Sequence, residues 1–367
     1  MLDIYAGKTA LKVIRDNGFK PDLFNTFLGA SGGPKWFTLF GLDKYLFGEF
    51  FKDRNTELNL VGSSAGAFRA ACFAQKDPVA AITRMATSYA QTVYSAKASR
   101  GEITEKAIGL LDYMLGENGI NEILQNPVFK AHFLVNKSQG LTASENKLVL
   151  TLGLAKSFML NKIDRKLLRR QYQRFVFKAP SSQVAIEDYC GFDTRYIDLT
   201  RENLKASLLA SGSIPLVMAG IKDIPDAPKG MYRDGGIVDY HFDIKVKSKV
   251  KNKVKAGAST VPPAETQPGL ILYPHFNASP KAGWFDKNLK RSISADNYDN
   301  TVMLVPSKKF VASLPHGKIP DRTDFTSMRP DERIPYWTTV LTATEQLAQA
   351  LDQQINQFEK AEIKPII

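Results

Sequence analysis

Short apolar runs alternate along this chain with longer segments in which apolar residues recur at helical spacing. The apolar runs predict buried strands at residues 23–28, 58–61, 133–135, 175–177, 196–199, 231–232, 270–273 and 301–305. Helical spacing predicts helices at residues 9–17, 34–51, 67–75, 79–96, 104–115, 121–124, 202–209 and 336–361. This alternation is typical of a mostly parallel sheet with helices on both faces, so the pattern predicts an α/β fold.

The last predicted helix carries an apolar stripe. Its members are Trp337, Val340, Leu341, Leu347, Leu351, Ile355 and Phe358. We expect this stripe to pack in the core of the same chain. A homodimer interface is the alternative.

The composition is that of a globular protein, with 44% hydrophobic and 23% charged residues among 367. The net charge of +12 favours anionic partners. Nucleic acid is excluded as a partner, because the chain has no motif that reads it. The two cysteines, Cys72 and Cys190, exclude a disulfide framework. No signal peptide and no apolar run of about 20 residues is found, so a soluble protein is expected.

One predicted strand–helix junction carries the pattern G-x-S-x-G, filled by Gly62, Ser63, Ser64, Ala65 and Gly66. A sharp turn between strand and helix lifts the serine hydroxyl out of the backbone, and the glycines leave room for it. The N–H of Ala65 then points to where an oxyanion would form. The pattern predicts Ser64 as a nucleophile, and a glycine-rich turn without chemistry is the alternative.

A second serine has the same glycine spacing, in Gly29-Ala-Ser-Gly-Gly33. Ser31 is therefore a rival nucleophile. It is followed by Gly-Gly-Pro, which is typical of a loop that offers backbone N–H groups. Ser64 is followed by Ala-Gly-Ala, which suits a helix packed closely on its strand. We therefore assign the Ser31 loop to charge stabilisation and Ser64 to attack.

The base that would activate Ser64 has two kinds of candidate. In α/β-hydrolases the order along the chain is serine, acid, histidine, so a downstream histidine could complete a triad. Those histidines are His241, His275 and His316. A carboxylate that takes the proton directly is the alternative. Asp234 suits that role, because it follows a short predicted strand and precedes Gly235 and Gly236, although an ordinary turn also explains Asp-Gly-Gly.

Four stretches, taken in order, resemble the patatin-like phospholipase family. Ser31-Gly-Gly-Pro-Lys35 resembles the family's oxyanion loop, which ends in a basic residue, and Gly62-Ser-Ser-Ala-Gly66 resembles its nucleophile elbow. Ala210-Ser-Gly-Ser-Ile-Pro215 resembles its small-residue segment, and Asp234-Gly-Gly236 its catalytic aspartate motif. Their joint order over residues 24–238 is far more specific than any one stretch.

The resemblance implies a three-layer α/β/α fold and a lipid acyl hydrolase. Such an enzyme is a serine esterase of the phospholipase A type that cleaves esters in phospholipids, lysophospholipids or glycerides. Carried over by position, Ser64 is the nucleophile and Asp234 the general base of a dyad. The oxyanion donors are the N–H groups of Gly32, Gly33 and Ala65, and the supporting motif positions are Lys35, Gly62, Gly66, Gly235 and Gly236. Neither a metal nor another cofactor is expected.

The glycine loop departs from the family pattern, Asp-Gly-Gly-Gly-x-Lys/Arg-Gly. Ser31 replaces the first glycine, Trp36 replaces the last, and Pro34 has no N–H to donate. No clear family match follows Phe242. We expect a catalytic domain over residues 1–245. The extension over 246–367, with a lysine-rich segment, further strands and a terminal helix, is expected to pack on the same domain.

Lysine occupies every second position from residue 245 to residue 255, so in a strand all six would share one face. A solvated edge strand or loop is one interpretation. Contact with anionic lipid headgroups is the other, and a cation-rich helix over residues 162–174 could contribute to it.

The resemblance implies a lipid ester as substrate, and we expect a cytoplasmic location with peripheral membrane contact as an option. Two other functions stay open. One is an acyltransferase or thioesterase with the same dyad. The other is a catalytically inactive protein that binds membrane surfaces, which the altered glycine loop permits.

Overall fold

The computed structural model describes residues 1–248 and 269–366. Its strands are β1 (Leu2–Ala6), β2 (Phe24–Gly29), β3 (Leu58–Ser63), β4 (Phe129–Ser138), β5 (Tyr172–Lys178), β6 (Val184–Glu187), β7 (Thr194–Asp198), β8 (Ile221–Lys222), β9 (Met231–Asp234), β10 (Lys245–Ser248), β11 (Leu270–Pro274), β12 (Thr301–Pro306) and β13 (Ile363–Pro365). Each of the eight predicted strands overlaps one of these, whereas strands such as β1, β6, β8 and β13 were not predicted.

Among the described residues, α-helices lie in six of the intervals between these strands. They are α1 (Lys8–Asn17), α2 (Phe40–Tyr45), α3 (Ala65–Phe73), α4 (Pro78–Gln91), α5 (Arg100–Leu115), α6 (Gly119–Gln125), α7 (Lys147–Ile163), α8 (Leu204–Ser211), α9 (Lys308–Ser313), α10 (Asp324–Ser327), α11 (Pro330–Ala343) and α12 (Glu345–Asn356). The helix predicted after Pro34 is divided into a 3-10 helix (Gly33–Leu39), α2 and a π-helix (Leu46–Phe50). Within the described ranges, no helix is both long enough and apolar enough to cross a bilayer.

Most strands join one sheet, in the order β13-β1-β12-β11-β2-β3-β4-β5-β7, and β9 pairs with β4 and with β8. The five central strands, from β12 to β4, are parallel to one another, and antiparallel pairs lie on either side of them. A separate pair is formed by β10 and β6. The mostly parallel central sheet predicted from the sequence is confirmed.

The central strands are apolar on both faces because each face is covered. Neighbouring residues such as Leu60 and Val61 of β3 point to opposite sides and pack into two different hydrophobic cores. The same holds for Phe133 and Leu134 of β4. Buried on both sides, these strands have the continuous apolar sequences expected of a parallel sheet. The fold is a three-layer α/β/α sandwich.

The predicted cation-rich helix over residues 162–174 is wrong. α7 ends at Ile163, a 3-10 helix follows over Arg165–Arg170, and Arg174 lies in β5. The guanidinium of Arg174 is fully buried and pairs with Asp239 and Asp188, each at 2.6 Å. Pairing with acids distant in sequence makes it a core residue, so it cannot contact lipid headgroups.

The predicted C-terminal helix is in fact two helices, α11 and α12, which meet at Thr344. A Cβ on Gly41 of α2 would lie 2.2 Å from the carbonyl oxygen of Thr344, so α2 packs closely on the junction of the two helices. The residues of the apolar stripe are buried or half-buried, with Trp337 and Leu351 fully covered. Core packing is therefore confirmed, and the stripe is not available as a dimer surface.

Strands on both sides of residue 245 belong to the same sheet, because β11 pairs with β2 and β12 pairs with β1. The division into a catalytic domain and an extension stays a prediction. In β10, Lys245 and Lys247 are exposed and Val246 between them is buried, so these two lysines share one face. Lys249, Lys251, Lys253 and Lys255 lie outside the described residues.

Candidate active site

The turn between β3 and α3 presents Ser64. β3 ends at Ser63 and α3 begins at Ala65, so a single residue joins strand and helix. Ser64 has φ 53° and ψ −123°. Residues other than glycine rarely adopt such a conformation, which costs of the order of 1–3 kcal/mol. A strained strand–helix turn of this kind is typical of a nucleophile elbow.

Glycines let α3 pack directly on the sheet behind Ser64. A Cβ on Gly66 would lie 1.8 Å from the carbonyl oxygen of Gly29, and one on Gly62 would lie 2.3 Å from the carbonyl oxygen of Gly66. No rotamer change could relieve these contacts, because the opposing atoms belong to the backbone. The glycines of the G-x-S-x-G pattern are thus required for the helix–sheet contact that holds the turn.

Ser64 and Asp234 are in direct contact. Asp234 ends β9, which pairs with β4, the neighbour of β3. The hydroxyl of Ser64 donates to Oδ2 of Asp234 at 2.8 Å, and the N–H of Gly236 donates to Oδ1 at 2.6 Å. Both side chains are only 6% exposed. The carboxylate therefore accepts the hydrogen bond of the Ser64 hydroxyl in a site that is almost free of solvent.

Burial raises the pKa of Asp234 to about 6. The hydrogen bonds from Ser64 and Gly236 favour the ionised form and oppose this rise, as do the nearby cations Lys287 and Arg322. At neutral pH the carboxylate is still ionised. Its basicity then lies near the value that suits a general base at that pH.

A segment before β9 supports both members of the pair. The Ser211 hydroxyl accepts from the N–H of Ser64 at 2.9 Å and donates to the carbonyl of Leu134 at 2.7 Å. The carbonyl of Ser213 accepts from the N–H of Asp234 at 3.1 Å. These serines belong to the small-residue segment noticed in the sequence, but their contacts were not predicted from it.

Asn136 of β4 fixes the turn after Asp234. Its side-chain amide donates to the carbonyls of Asp234 and Gly235, both at 2.9 Å. A Cβ on Gly235 would lie 2.2 Å from the carbonyl oxygen of Leu134, so the turn sits tightly against β4. Asn136 is fully buried in a run of apolar residues. No motif surrounds it, so sequence reasoning did not find it.

The glycine loop borders the same cavity as Ser64. Gly32, Gly33 and Lys35 line this cavity, and Ala65 is the first residue of α3. Lys35 forms an ion pair with Asp321 at 2.7 Å. Partial burial tends to raise the pKa of Asp321. The contact with Lys35 outweighs this effect, together with hydrogen bonds from Thr323, and the pKa falls to about 2. The positive charge of Lys35 is therefore largely neutralised by a residue from the C-terminal part of the chain.

The cavity is narrow, with a volume of about 90 Å³. Apolar and aromatic residues form part of its wall, and two cations, Lys287 and Arg322, also line it. The Lys287 ammonium lies 4.0 Å from the centre of the Tyr240 ring. Desolvation, with the neighbouring cations Arg322 and Lys35, lowers the pKa of Lys287 to about 8. Lys287, Arg322 and Tyr240 belong to no motif found in the sequence.

A larger open cleft, of about 1350 Å³, is lined by residues such as Arg84 and Tyr113. None of the predicted site residues lines it. Size alone would therefore point to the wrong surface.

Ser31, the rival nucleophile, is directed elsewhere. Its hydroxyl lies 3.0 Å from the hydroxyl and 3.2 Å from the carbonyl of Ser63. A Cβ on Gly236 would lie 2.5 Å from the Ser31 oxygen. Ser31 thus packs between the two predicted motifs and lines the cavity, whereas Ser64 is the serine that contacts the carboxylate.

The three downstream histidines that could have completed a triad make their contacts away from Ser64. Nδ1 of His241 accepts from the N–H of Lys281, Nδ1 of His275 lies against Asn277, and the His316 ring packs on Tyr336. Among the described residues, no histidine lines the cavity that contains Ser64. In the same part of the chain, no group of three or more histidine, cysteine, aspartate or glutamate side chains is arranged to hold a metal ion.

This chain thus combines a three-layer α/β/α sandwich with a serine at a strand–helix turn, and that serine is hydrogen-bonded to an aspartate. A family model, the patatin-like phospholipase model, matches residues 58–241, which is half of the chain. The chain belongs to the patatin-like phospholipase family.

Other comparisons are more distant. No curated protein sequence gives a significant match. Among solved structures, human GIVD cytosolic phospholipase A2 is 12% identical, with a TM-score of 0.37 over 97% of this chain and 63% of that one. VipD from Legionella pneumophila is also 12% identical, with a TM-score of 0.36 over 95% of this chain and 70% of that one. This chain thus spans less than two thirds of the human structure, and both likenesses are too distant to bear on activity.

Proposed function

We propose that this protein hydrolyses carboxylic esters of lipids through an acyl-enzyme on Ser64. The observation that carries the proposal is the hydrogen bond of 2.8 Å from Ser64 to the buried carboxylate of Asp234. Burial raises the pKa of that carboxylate to about 6, so it is ionised and basic at neutral pH. Membership of the patatin-like phospholipase family supports a lipid as the ester.

In the first step, Oγ of Ser64 attacks the acyl carbonyl carbon while its proton passes to Asp234. The C=O double bond becomes a single bond to an oxyanion. We assign the N–H groups of Gly32, Gly33 and Ala65 to this oxyanion. Each such donor is worth about 2.7–4 kcal/mol in measured systems. Collapse of the intermediate expels the alcohol, which takes the proton from Asp234, and leaves the acyl group on Ser64.

In the second step, water attacks the acyl-enzyme and gives a proton to Asp234. The second intermediate collapses, the fatty acid leaves, and the proton returns to Ser64. Ser211 and Asn136 are positioning residues in this scheme, since they hold the backbones of the nucleophile and of the base. No step needs a histidine.

The cations of the wall favour an anionic lipid over a neutral one. Among the described residues, neither Lys287 nor Arg322 forms an ion pair, whereas Lys35 is paired with Asp321. A cavity of about 90 Å³ admits only the ester end of a lipid, so a headgroup would remain at its mouth. A phosphate there would neutralise the two cations, whereas a glyceride has no group that could.

Labelling with a fluorophosphonate probe tests the nucleophile. We expect the parent and Ser31→Ala to be labelled, and Ser64→Ala and Asp234→Asn to be labelled at most weakly. Fatty-acid release from phospholipid, lysophospholipid and glyceride then tests the substrate class. Labelling that persists in Ser64→Ala would refute the assignment. Transfer of the acyl group to an added alcohol in preference to water would favour an acyltransferase, and an unlabelled parent that still binds vesicles would favour an inactive binding protein.

Short-chain soluble esters test the role of the cations. For Lys287→Gln and Arg322→Gln we expect the ratio of kcat/KM for a phospholipid to that for a diglyceride to fall about fivefold each, the size of a partly exposed ion pair. Lys290→Gln, an exposed lysine on the same segment, is the matched control. An unchanged ratio in both test variants would contradict the preference for an anionic headgroup.

A further inference from the structure

The solvent-facing side of α7 is apolar. Leu148, Leu152, Met159 and Ile163 are 75%, 64%, 55% and 73% exposed. At 3.6 residues per turn, all four fall within about 60° of the helix circumference and extend for about 22 Å along its axis. We call these four residues the α7 stripe. It is the reverse of the polar outer face that a surface helix normally has.

The exposed stripe is not explained by an α7 that lies wholly outside the protein, because this helix also has a buried face. The opposite face of α7 packs into the protein through Leu150, Ser157 and Asn161, which are fully buried. Among the residues described, six of the ten large hydrophobic side chains that are exposed fall between residues 141 and 163. A concentration of this kind on one surface is typical of a binding site.

Lysines border the stripe. Lys156 and Lys162 are exposed and lie on either side of it, and Lys147 lies at the start of the helix. α7 contains no aspartate or glutamate. An apolar strip with flanking lysines has the arrangement by which a helix lies in the interface of an anionic bilayer.

The helix is joined to the wall of the cavity that contains Ser64. Asn161 donates from its side chain to Asp286 at 2.8 Å, and Arg291 donates to the Asn161 carbonyl at 2.8 Å. Asp286 belongs to the turn Trp284–Asp286, and both Trp284 and the next residue, Lys287, line the cavity with Ser64. The C-terminal end of the stripe is therefore anchored to a segment that lines the cavity with Ser64.

We propose that the α7 stripe docks this protein on an anionic lipid surface. The inference rests on the proposed function, because such a surface is where a lipid ester would be held. The lysines argue against a second copy of the chain as the occupant. In a symmetric dimer, Lys156 and Lys162 would face the same positive charges of the partner without an acid of α7 between them.

Vesicle binding tests the stripe separately from catalysis when the test variant and its control both carry Ser64→Ala. The test variant carries Leu148→Gln, Leu152→Gln, Met159→Gln and Ile163→Gln. Its matched control carries Val93→Gln and Tyr113→Gln, which replace apolar side chains that are 42% and 56% exposed outside α7. Sedimentation with phosphatidylglycerol–phosphatidylcholine vesicles should show at least about a 100-fold loss of affinity for the test variant, since each partly inserted side chain contributes a factor of about three or more. The control should bind as the Ser64→Ala protein does.

Three single variants test the flanking charges, and they are Lys147→Gln, Lys156→Gln and Lys162→Gln. Each substitution should lower the affinity for the anionic vesicles by about fivefold. Binding to vesicles of phosphatidylcholine alone should not change. Equal binding of the stripe variant and its control would overturn the proposal. So would a lipid-free parent that sediments as a dimer and becomes a monomer in the stripe variant.

Hydrolysis separates this inference from the proposed function. With Ser64 intact, the stripe variant should cleave a monomeric short-chain ester like the parent and should lose activity on vesicles. Stripe-dependent binding by a parent that cleaves no ester would refute the proposed function and support the docking surface. Full activity of the stripe variant on vesicles would overturn the docking surface and leave the proposed function supported.

Discussion

Ser211 connects the nucleophile to the neighbouring strand, and its removal tests how the site is held. Ser211→Ala deletes the hydroxyl that accepts from the Ser64 N–H at 2.9 Å and donates to the Leu134 carbonyl at 2.7 Å. Ser207 provides a matched control. It lies on the same helix, α8, is equally buried, and its hydroxyl donates only to the carbonyl of Leu204 at 2.9 Å.

The expected loss follows from the groups left without a partner. Ser211→Ala exposes no new surface but leaves two buried backbone groups unpaired, at about 1–3 kcal/mol each. We expect the free energy of unfolding to fall by about 2–6 kcal/mol. An unfolding entropy of roughly 0.8 kcal/mol/K for 367 residues converts this to a fall in Tm of about 3–8 °C. Ser207→Ala should cost about 1 kcal/mol, because its acceptor lies within the helix.

Activity should fall along with stability. The Ser64 N–H is an anchor of a residue held at φ 53°, and a nucleophile displaced by about 1 Å loses about 100-fold in rate. We expect kcat of Ser211→Ala on a soluble ester to fall between about 10-fold and 100-fold, with little change in KM. Thermal denaturation and steady-state kinetics of both variants measure this. Equal Tm and equal kcat for the two variants would refute the reasoning.

Four further predictions follow from buried groups. Because Asp234 must be ionised to take the Ser64 proton, kcat/KM should rise with pH through about 6 and then level off, and a rate that is flat from pH 5 to pH 8 would argue against this base. The raised pKa also means that the folded state binds the proton more tightly than the unfolded state, so stability should fall as pH rises from about 4 to 6, and Asp234→Asn should remove that fall in denaturation curves. Gly66→Ala should give little or no soluble folded protein, as judged by gel filtration, since its Cβ would lie 1.8 Å from a carbonyl oxygen; a folded, active variant would contradict the packing. Arg69→Met leaves the fully buried Asp43 without its bidentate partner and should cost about 3–5 kcal/mol in chemical denaturation, whereas adding Asp43→Leu should restore part of the loss.

Local pattern was sufficient for much of the fold. Continuous apolar runs located the central strands, since a parallel sheet covered on both faces needs apolar residues on both sides of each strand. The G-x-S-x-G pattern placed Ser64 at a strand–helix turn because glycine spacing and small residues are direct requirements of that turn. These features depend on residues a few positions apart, which is the range that a sequence pattern reports.

The cation-rich segment shows where local pattern misleads. Its cations recur at positions that favour a solvated helix, but Arg174 lies in a strand and is paired with Asp188 and Asp239. A buried charge is stable only with its partners, and these come from other parts of the sheet. The segment itself does not indicate that these two aspartates would be the partners of Arg174.

The sequence by itself determined the α/β class, the strand–helix turn at Ser64 and, through resemblance, the candidate aspartate. Only the tertiary structure decided that Ser64 meets Asp234, which lies 170 residues later, and not one of the three downstream histidines. It also brought Ser211, Asn136, Lys287 and Arg322 to the site, although only Ser211 lies in a stretch that the sequence had marked. The physical reason is that these contacts depend on strand order. β9 pairs with β4 beside β3, and that adjacency arises from the packing of the whole sheet rather than from any segment of the chain.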